Sequence, residues 1–178
     1  MSKLDKDNYI NDGIDLQKRK IFIQDINSNS ANKIIRALTI LNQKTSPIDI
    51  YINSPGGCVY DGLAIYDAIS SSPCVITTHA IGSAMSIALI IFCSGDMRRG
   101  YQNTSFMSHS CSSFTSGKLK EVKIDTKEME RLNKIMANLL TDNSNKDSRF
   151  WMSKLDHYFY FDLTFAKKVG IVNIEEDE

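Results

Sequence analysis

Features that define several other protein classes are scarce or missing in this 178-residue sequence. Proline occurs three times and tryptophan once, and neither sign of charge is in excess, since 21 Lys and Arg balance 21 Asp and Glu. A chain with zero formal net charge has no global positive field for nucleic acid or an anionic membrane, so we expect neither as a partner. The length and the 42% share of hydrophobic residues indicate one globular domain.

Signatures of metal binding, secretion and membrane insertion are also missing. The four cysteines form no C-x-x-C pair, which argues against a zinc site. The N-terminal segment has no apolar core of the kind that a secretory signal needs, so we predict a cytoplasmic protein with reduced thiols. The longest apolar stretch, 80–93, is shorter than the roughly 20 residues of a membrane span. It predicts a buried core helix.

Strands and helices alternate along the chain, a pattern typical of an α/β domain with a largely parallel sheet. The predicted strands are 20–24, 48–52, 74–78 and 106–109. The predicted helices are 31–43, 60–71, 80–93, 119–140, 149–155 and 163–169. We expect a flexible arm at 1–18, a single domain at 19–173 and a disordered acidic tail at 174–178.

Residues that can take part in catalysis or binding follow two of the predicted strands. The first is the turn 54–57, in which Gly56 and Gly57 let the backbone approach a ligand or adopt positive φ. The second is Ser86, which stands among small residues at the start of an apolar helix. Each also has a purely structural explanation, a tight turn in the first case and a helix N-cap in the second. Sites in parallel sheets form at the carboxyl ends of strands, which favours a functional role for both.

A serine nucleophile needs a general base, and the sequence offers His79, His109 and His157. His109 ends a predicted strand, and His79 ends the strand that precedes Ser86. At a helix N-terminus the free N–H group of Ile87 can stabilise an oxyanion. The residues two before and two after Ser86 are both alanine, so the G-x-S-x-G motif of α/β-hydrolases is missing.

These segments together resemble the proteolytic subunit of the Clp protease, a self-compartmentalised serine peptidase. The resemblance covers about 16–173 and includes IDIYINSPGG at 48–57 and AIGSAMSIALIIFCSG at 80–95. NTSFMSH at 103–109 and FAKKVGIVN at 165–173 add weaker matches. The abundance of Ile, Asn and Lys is consistent with a divergent, phage-type member. The resemblance implies the crotonase-like β-α superhelix of the Clp proteolytic subunit, with 119–140 as its long handle helix.

The resemblance also implies roles for individual residues. Ser86 matches the nucleophile and His109 the general base, while Gly57 and Ile87 match the positions whose N–H groups form the oxyanion hole. Family subunits form heptameric rings that stack in pairs, and a hexameric AAA+ unfoldase delivers unfolded polypeptides to them. No metal or other cofactor is required, and ATP would be consumed by the unfoldase because this chain has no Walker loop.

The third member of the triad does not align directly. The family has an Asp eight residues before the position of Ala166, where this chain has Tyr158. Asp156 is our prediction for the orienting acid; Asp162, which also has the pattern of a helix N-cap, and the lack of any acid are the alternatives. The unmatched third residue leaves a second function open, a catalytically impaired structural subunit of a mixed ring. The implied fold leaves a third, an acyl-CoA enzyme of the crotonase fold.

Overall fold

The computed structural model of the protein describes residues 13–112 and 116–174. Its strands are β1 (Ile14–Asp15), β2 (Lys20–Ile23), β3 (Ile48–Ser54), β4 (Ile76–Met85), β5 (Met97–Gly100), β6 (Ser105–Ser108) and β7 (Phe159–Phe161). Its helices are α1 (Ser28–Leu41), α2 (Val59–Ser70), α3 (Ile87–Cys93), α4 (Leu119–Asp142), α5 (Ser148–Leu155) and α6 (Leu163–Lys168). The predicted α/β class with a long helix near 119–140 is confirmed.

The strands form one seven-stranded sheet in the order β1-β2-β3-β4-β6-β7, with β5 paired to β4. Every pair among β2, β3, β4, β5 and β6 is parallel, and the two edge strands β1 and β7 run antiparallel to their neighbours. The prediction of a largely parallel sheet is therefore confirmed. Both antiparallel edge strands were missed, because they are only two and three residues long.

β4 changes its partner along its length. Its first half, Thr77–Ala80, pairs with β5, whereas Ser83–Met85 pairs with β6. The strand therefore continues to Met85, and the helix that follows covers only Ile87–Cys93. The predicted helix 80–93 is thus wrong in its first half, because small apolar residues such as Ala80 and Ala84 fit a buried strand as well as a helix.

Among the described helices, α1, α5 and α6 begin at an Asn or Asp side chain that accepts a backbone N–H. Asn27 caps α1: its side chain accepts hydrogen bonds from the N–H groups of Asn29 and Ser30, and the Ser30 hydroxyl completes a capping box. α3 is buried on all sides and forms the centre of the core. The second half of α4 packs on α3 and α5, whereas its first half projects into solvent, where Leu119 and Ile124 are 71% and 58% exposed.

Two arginine side chains each donate hydrogen bonds to several backbone carbonyls of other chain segments. The Arg19 guanidinium donates hydrogen bonds of 2.8–3.1 Å to four carbonyls in the segment that joins α1 to β3. The Arg98 guanidinium donates to the carbonyls of Gly95, Asn143, Gly170 and Ile171 at 2.8–3.3 Å. Hydrogen bonds to a charged donor are stronger than neutral ones, so each guanidinium acts as a clamp that holds the backbone of these loop segments in place.

The predicted N-terminal arm and the predicted acidic tail lie only partly within the described residues. Of the predicted arm 1–18, residues 1–12 lie outside the described range, and Ile14–Asp15 forms β1. Of the predicted acidic tail, 175–178 also lies outside it. Within the described part of the chain, no helix has the length and apolar character needed to cross a bilayer.

Candidate active site

Ser86 and His109 meet at one edge of the sheet. β6 runs parallel to the last residues of β4, with Met85 opposite Met107, and the two functional candidates follow these strand ends. The Ser86 N–H donates a 2.8 Å hydrogen bond to the Met107 carbonyl, which fixes the turn between β4 and α3 against β6. Adjacent parallel strands end at the same edge, so side chains that follow them are close in space.

The Ser86 hydroxyl is hydrogen-bonded to His109, with 2.8 Å between Oγ and Nε2. This separation lies within the range that proton transfer to a general base requires. When Nδ1 carries the ring proton, the hydroxyl donates to Nε2. Partial burial lowers the pKa of His109 below its ordinary value of 6.5, which favours the neutral imidazole that can accept a proton.

Ser86 holds a backbone conformation that is rare for a residue with a side chain. Its φ is +55° and its ψ is −128°, the conformation of the second residue of a type II′ turn. The chain reverses sharply at this point, and the Leu89 N–H donates to the Ser86 carbonyl at 3.1 Å as α3 begins. The alternative explanation of Ser86 as a side-chain N-cap does not hold, because its side chain makes no capping hydrogen bond.

The glycines of the turn 54–57 bring the backbone against Ser86. Gly56 has φ of +110°, and a Cβ there would lie 2.8 Å from the Ser86 Cβ. A Cβ on Gly57 would overlap the carbonyl of Ile26. Neither the Gly57 amide nor the Ile87 amide has a hydrogen-bond acceptor within residues 13–112 and 116–174. Both N–H groups therefore lack an acceptor in these residues, and their role as the oxyanion hole stays a prediction.

The chain is similar in sequence to known proteins. The family model described as Clp protease matches residues 7–175. The chain belongs to the Clp protease family. Similar members include ATP-dependent Clp protease proteolytic subunit 1 of Salinibacter ruber, 31% identical over 163 residues, which are 89% of this chain and 70% of that protein. Subunit 1 of Rhodopirellula baltica is 30% identical, and subunit 2 of Corynebacterium efficiens is 29% identical, over 72% and 82% of their lengths.

In this Clp family member, no hydrogen bond or ion pair within the described residues joins His79, Asp156 or Asp162 to the Ser86–His109 pair. His79 is buried, with 2.9 Å from its Nε2 to an Asp49 carboxylate oxygen and 3.2 Å from its Nδ1 to the Tyr101 hydroxyl. Asp162 caps α6, because its carboxylate accepts the Phe165 N–H at 2.8 Å. The alternative reading of Asp162 as an N-cap is therefore confirmed.

Asp156, the predicted orienting acid, is exposed at the C-terminal end of α5. In the described residues, the only hydrogen bond of the His109 ring is the one to Ser86. No hydrogen bond or ion pair in these residues joins the Asp156 carboxylate to His109, so the predicted role of Asp156 is untested and has no support from the geometry. The side chain that does contact His109 is Tyr158, whose ring is stacked on the imidazole with 5.1 Å between centroids and 24° between planes.

A cavity of about 310 Å³ adjoins Gly57 between the start of α2 and the exposed half of α4. At its edge the Glu128 carboxylate accepts two hydrogen bonds from Arg131 and one from the Tyr60 hydroxyl, at 2.7–2.8 Å. These bonds, the arginine's above all, lower the pKa of Glu128 to about 2, so the carboxylate stays ionised. The lining residues are Gly57, Cys58, Val59, Tyr60, Cys111, Ser112, Asp125, Glu128, Met129 and Leu132.

The sequence pattern did not reveal the cavity or the Tyr158 stack. Both depend on elements far apart in the chain, namely α2 with α4 and β6 with β7. One signal was present: counting back from Ala166 had placed Tyr158 where the family has its acid. The exchange of an acid for an aromatic residue could have prompted the question of what that ring contacts.

Proposed function

We propose that Ser86 and His109 hydrolyse peptide bonds through an acyl-enzyme. His109 Nε2 takes the hydroxyl proton as Ser86 Oγ attacks the substrate carbonyl, and the N–H groups of Gly57 and Ile87 hold the oxyanion. The protonated His109 then gives its proton to the leaving amine, and water releases the acyl group. The observation that carries the proposal is the 2.8 Å hydrogen bond between Ser86 and His109.

The family sets the broader function. As a member of the Clp protease family, the chain is a serine-type protease subunit. Members of this family act as oligomeric rings with an AAA+ unfoldase. We extend the proposal to a heptameric ring, stacked in a pair, that degrades unfolded polypeptides in the cytoplasm.

Two observations support this extension. The exposed apolar side chains of Leu119 and Ile124 project from the free half of α4, where contact with another copy would remove them from water. All four cysteines are free, as expected in a reducing compartment. Native mass spectrometry would show assemblies of seven or fourteen subunits; a monomer at all concentrations would contradict the ring.

The cavity beside Gly57 supports a position for the substrate. It opens next to one of the two oxyanion donors, and its volume can hold one amino-acid side chain. We propose that it receives the residue on the acyl side of the cleaved bond. The ionised Glu128 at its edge is paired with Arg131, so the cavity presents a mixed rather than a purely negative surface.

A catalytically impaired subunit is the second candidate function. It is favoured by the lack of a hydrogen bond from His109 to any carboxylate in residues 13–112 and 116–174, because losing the orienting acid lowers kcat by about 10⁴ in trypsin-like enzymes. Such a subunit would serve mainly as a structural partner in a ring.

Reaction with a fluorophosphonate distinguishes the two. Intact-mass spectrometry and peptide mapping should find one adduct, on Ser86, and Ser86→Ala should lose both the adduct and peptide cleavage. Ser83→Ala is the matched control, because Ser83 lies on the same strand end but is hydrogen-bonded to Asn53. An unlabelled parent protein in its assembled form would reject the active-protease proposal, and so would undiminished cleavage by Ser86→Ala.

A further inference from the structure

The stack between Tyr158 and His109 follows from the register of the sheet. β6 and β7 pair antiparallel with Ser108 opposite Phe159, so one further step places Tyr158 opposite His109. Side chains directly opposite in an antiparallel pair lie close on the same face. The two rings are nearly parallel, and the Tyr160 ring continues the stack with its centroid 6.4 Å from that of Tyr158. The contact is therefore built into strand pairing.

His109 has little else to hold its ring. Its only hydrogen bond within the described chain uses Nε2, and rotation of the imidazole about the Cβ–Cγ bond would break it. Asp156 is exposed and forms no hydrogen bond or ion pair there, and the Asp162 carboxylate is occupied by the α6 N-terminus. A flat ring packed against one face of the imidazole restricts that rotation.

We propose that Tyr158 is a positioning residue for His109: its aromatic face keeps the imidazole aligned with Ser86 and stabilises the imidazolium formed during acyl transfer. The inference rests on the proposed function. An aromatic face beside a cation at an exposed site contributes a factor of about 2 to 5 in rate. The Tyr158 hydroxyl forms no hydrogen bond within the described residues, so the ring rather than the hydroxyl carries the effect.

Three substitutions of Tyr158 distinguish the effect of its aromatic face from that of apolar cover. Tyr158→Phe keeps the aromatic face, Tyr158→Leu keeps apolar cover without it, and Tyr158→Ala removes both. Tyr158 is 67% exposed, so none of them should unfold the protein. The measurements are kcat and KM on an unstructured peptide, and the rate constant for fluorophosphonate labelling of Ser86. Far-ultraviolet circular dichroism and native mass verify fold and assembly.

We expect Tyr158→Phe to stay within about twofold of the parent, Tyr158→Leu to lose about threefold and Tyr158→Ala about tenfold in kcat and in labelling rate. KM should change little. Tyr160→Ala is the control, because Tyr160 is similarly exposed but does not contact His109. It should stay within about twofold of the parent.

The outcomes separate the inference from the function on which it rests. Equal rates for the parent and Tyr158→Ala would overturn the inference and leave the serine assignment intact. A loss confined to KM would also overturn it, since Tyr158 would then contact substrate rather than hold His109. A parent protein that is not labelled at Ser86 would overturn both.

Discussion

The backbone conformation of Ser86 leads to a prediction about stability that is independent of catalysis. A residue with a Cβ at φ of +55° and ψ of −128° is strained, whereas glycine adopts this conformation freely. Ser86→Gly and Ser86→Ala both remove the hydroxyl and its bond to His109. The difference between them therefore isolates the backbone strain, and Ser86→Gly should be the more stable of the two.

The size of the difference follows from two opposing effects. Strain of this kind costs about 1–3 kcal/mol, and it remains in the alanine variant. Glycine loses about 0.5–1 kcal/mol more than alanine in conformational entropy on folding. We therefore expect the free energy of unfolding to be about 1 kcal/mol higher for Ser86→Gly, which raises Tm by about 2–4 °C in a protein of this length.

Ser94, at the other end of α3, supplies the control. Its φ of −74° and ψ of −14° are ordinary helical values, so glycine there should be less stable than alanine by about 0.5–1 kcal/mol. Thermal and urea unfolding should be compared at one protein concentration, because assembly makes Tm depend on it. If Ser86→Gly is no more stable than Ser86→Ala, Ser86 is not strained in the way the structure indicates, and the reasoning fails.

The remaining predictions concern the protonation and orientation of His109. Burial lowers its pKa below 6.5 and only the neutral imidazole accepts the Ser86 proton, so kcat/KM should be lost on acidification with a midpoint below pH 6.5; a midpoint above that value would contradict the pKa direction. Asp156→Asn should change kcat by less than about threefold, because Asp156 forms no hydrogen bond or ion pair with His109 within the described residues. A loss of about 10⁴ on that substitution would instead establish Asp156 as the orienting acid.

Much of the fold and the central pair of the site could be predicted from sequence, because they depend on short-range patterns. The apolar run 48–52 gave β3, and the stripe of α4 at helical spacing gave that helix within two residues of its end. Ser86 was recognisable because small residues surround it near the start of a predicted helix, and His109 because it ends a predicted strand; the family resemblance then implied their roles. Parallel strands bring such positions to one edge without further information.

Other features depend on pairings that no local pattern encodes. The segment Ala80–Met85 became strand rather than helix because two different strands, β5 and β6, pair with β4. Tyr158 contacts His109 because it precedes the three-residue strand β7. That strand pairs with β6, which lies about fifty residues earlier in the sequence. The positive φ of Ser86 was likewise not predictable, since serine at a helix start ordinarily caps it.

The two arginine clamps have a consequence for how this protein tolerates sequence change. Arg19 and Arg98 bind carbonyl oxygens, which every amino acid possesses. Substitutions of exposed side chains in the segments they hold should therefore be accepted readily, provided that the backbone keeps its path. Replacement of either arginine should be poorly tolerated. A lysine cannot substitute, because a single ammonium group does not span several carbonyls. In a saturation mutagenesis experiment, Arg19 and Arg98 should tolerate few substitutions, whereas exposed positions in the segments they bind should tolerate many.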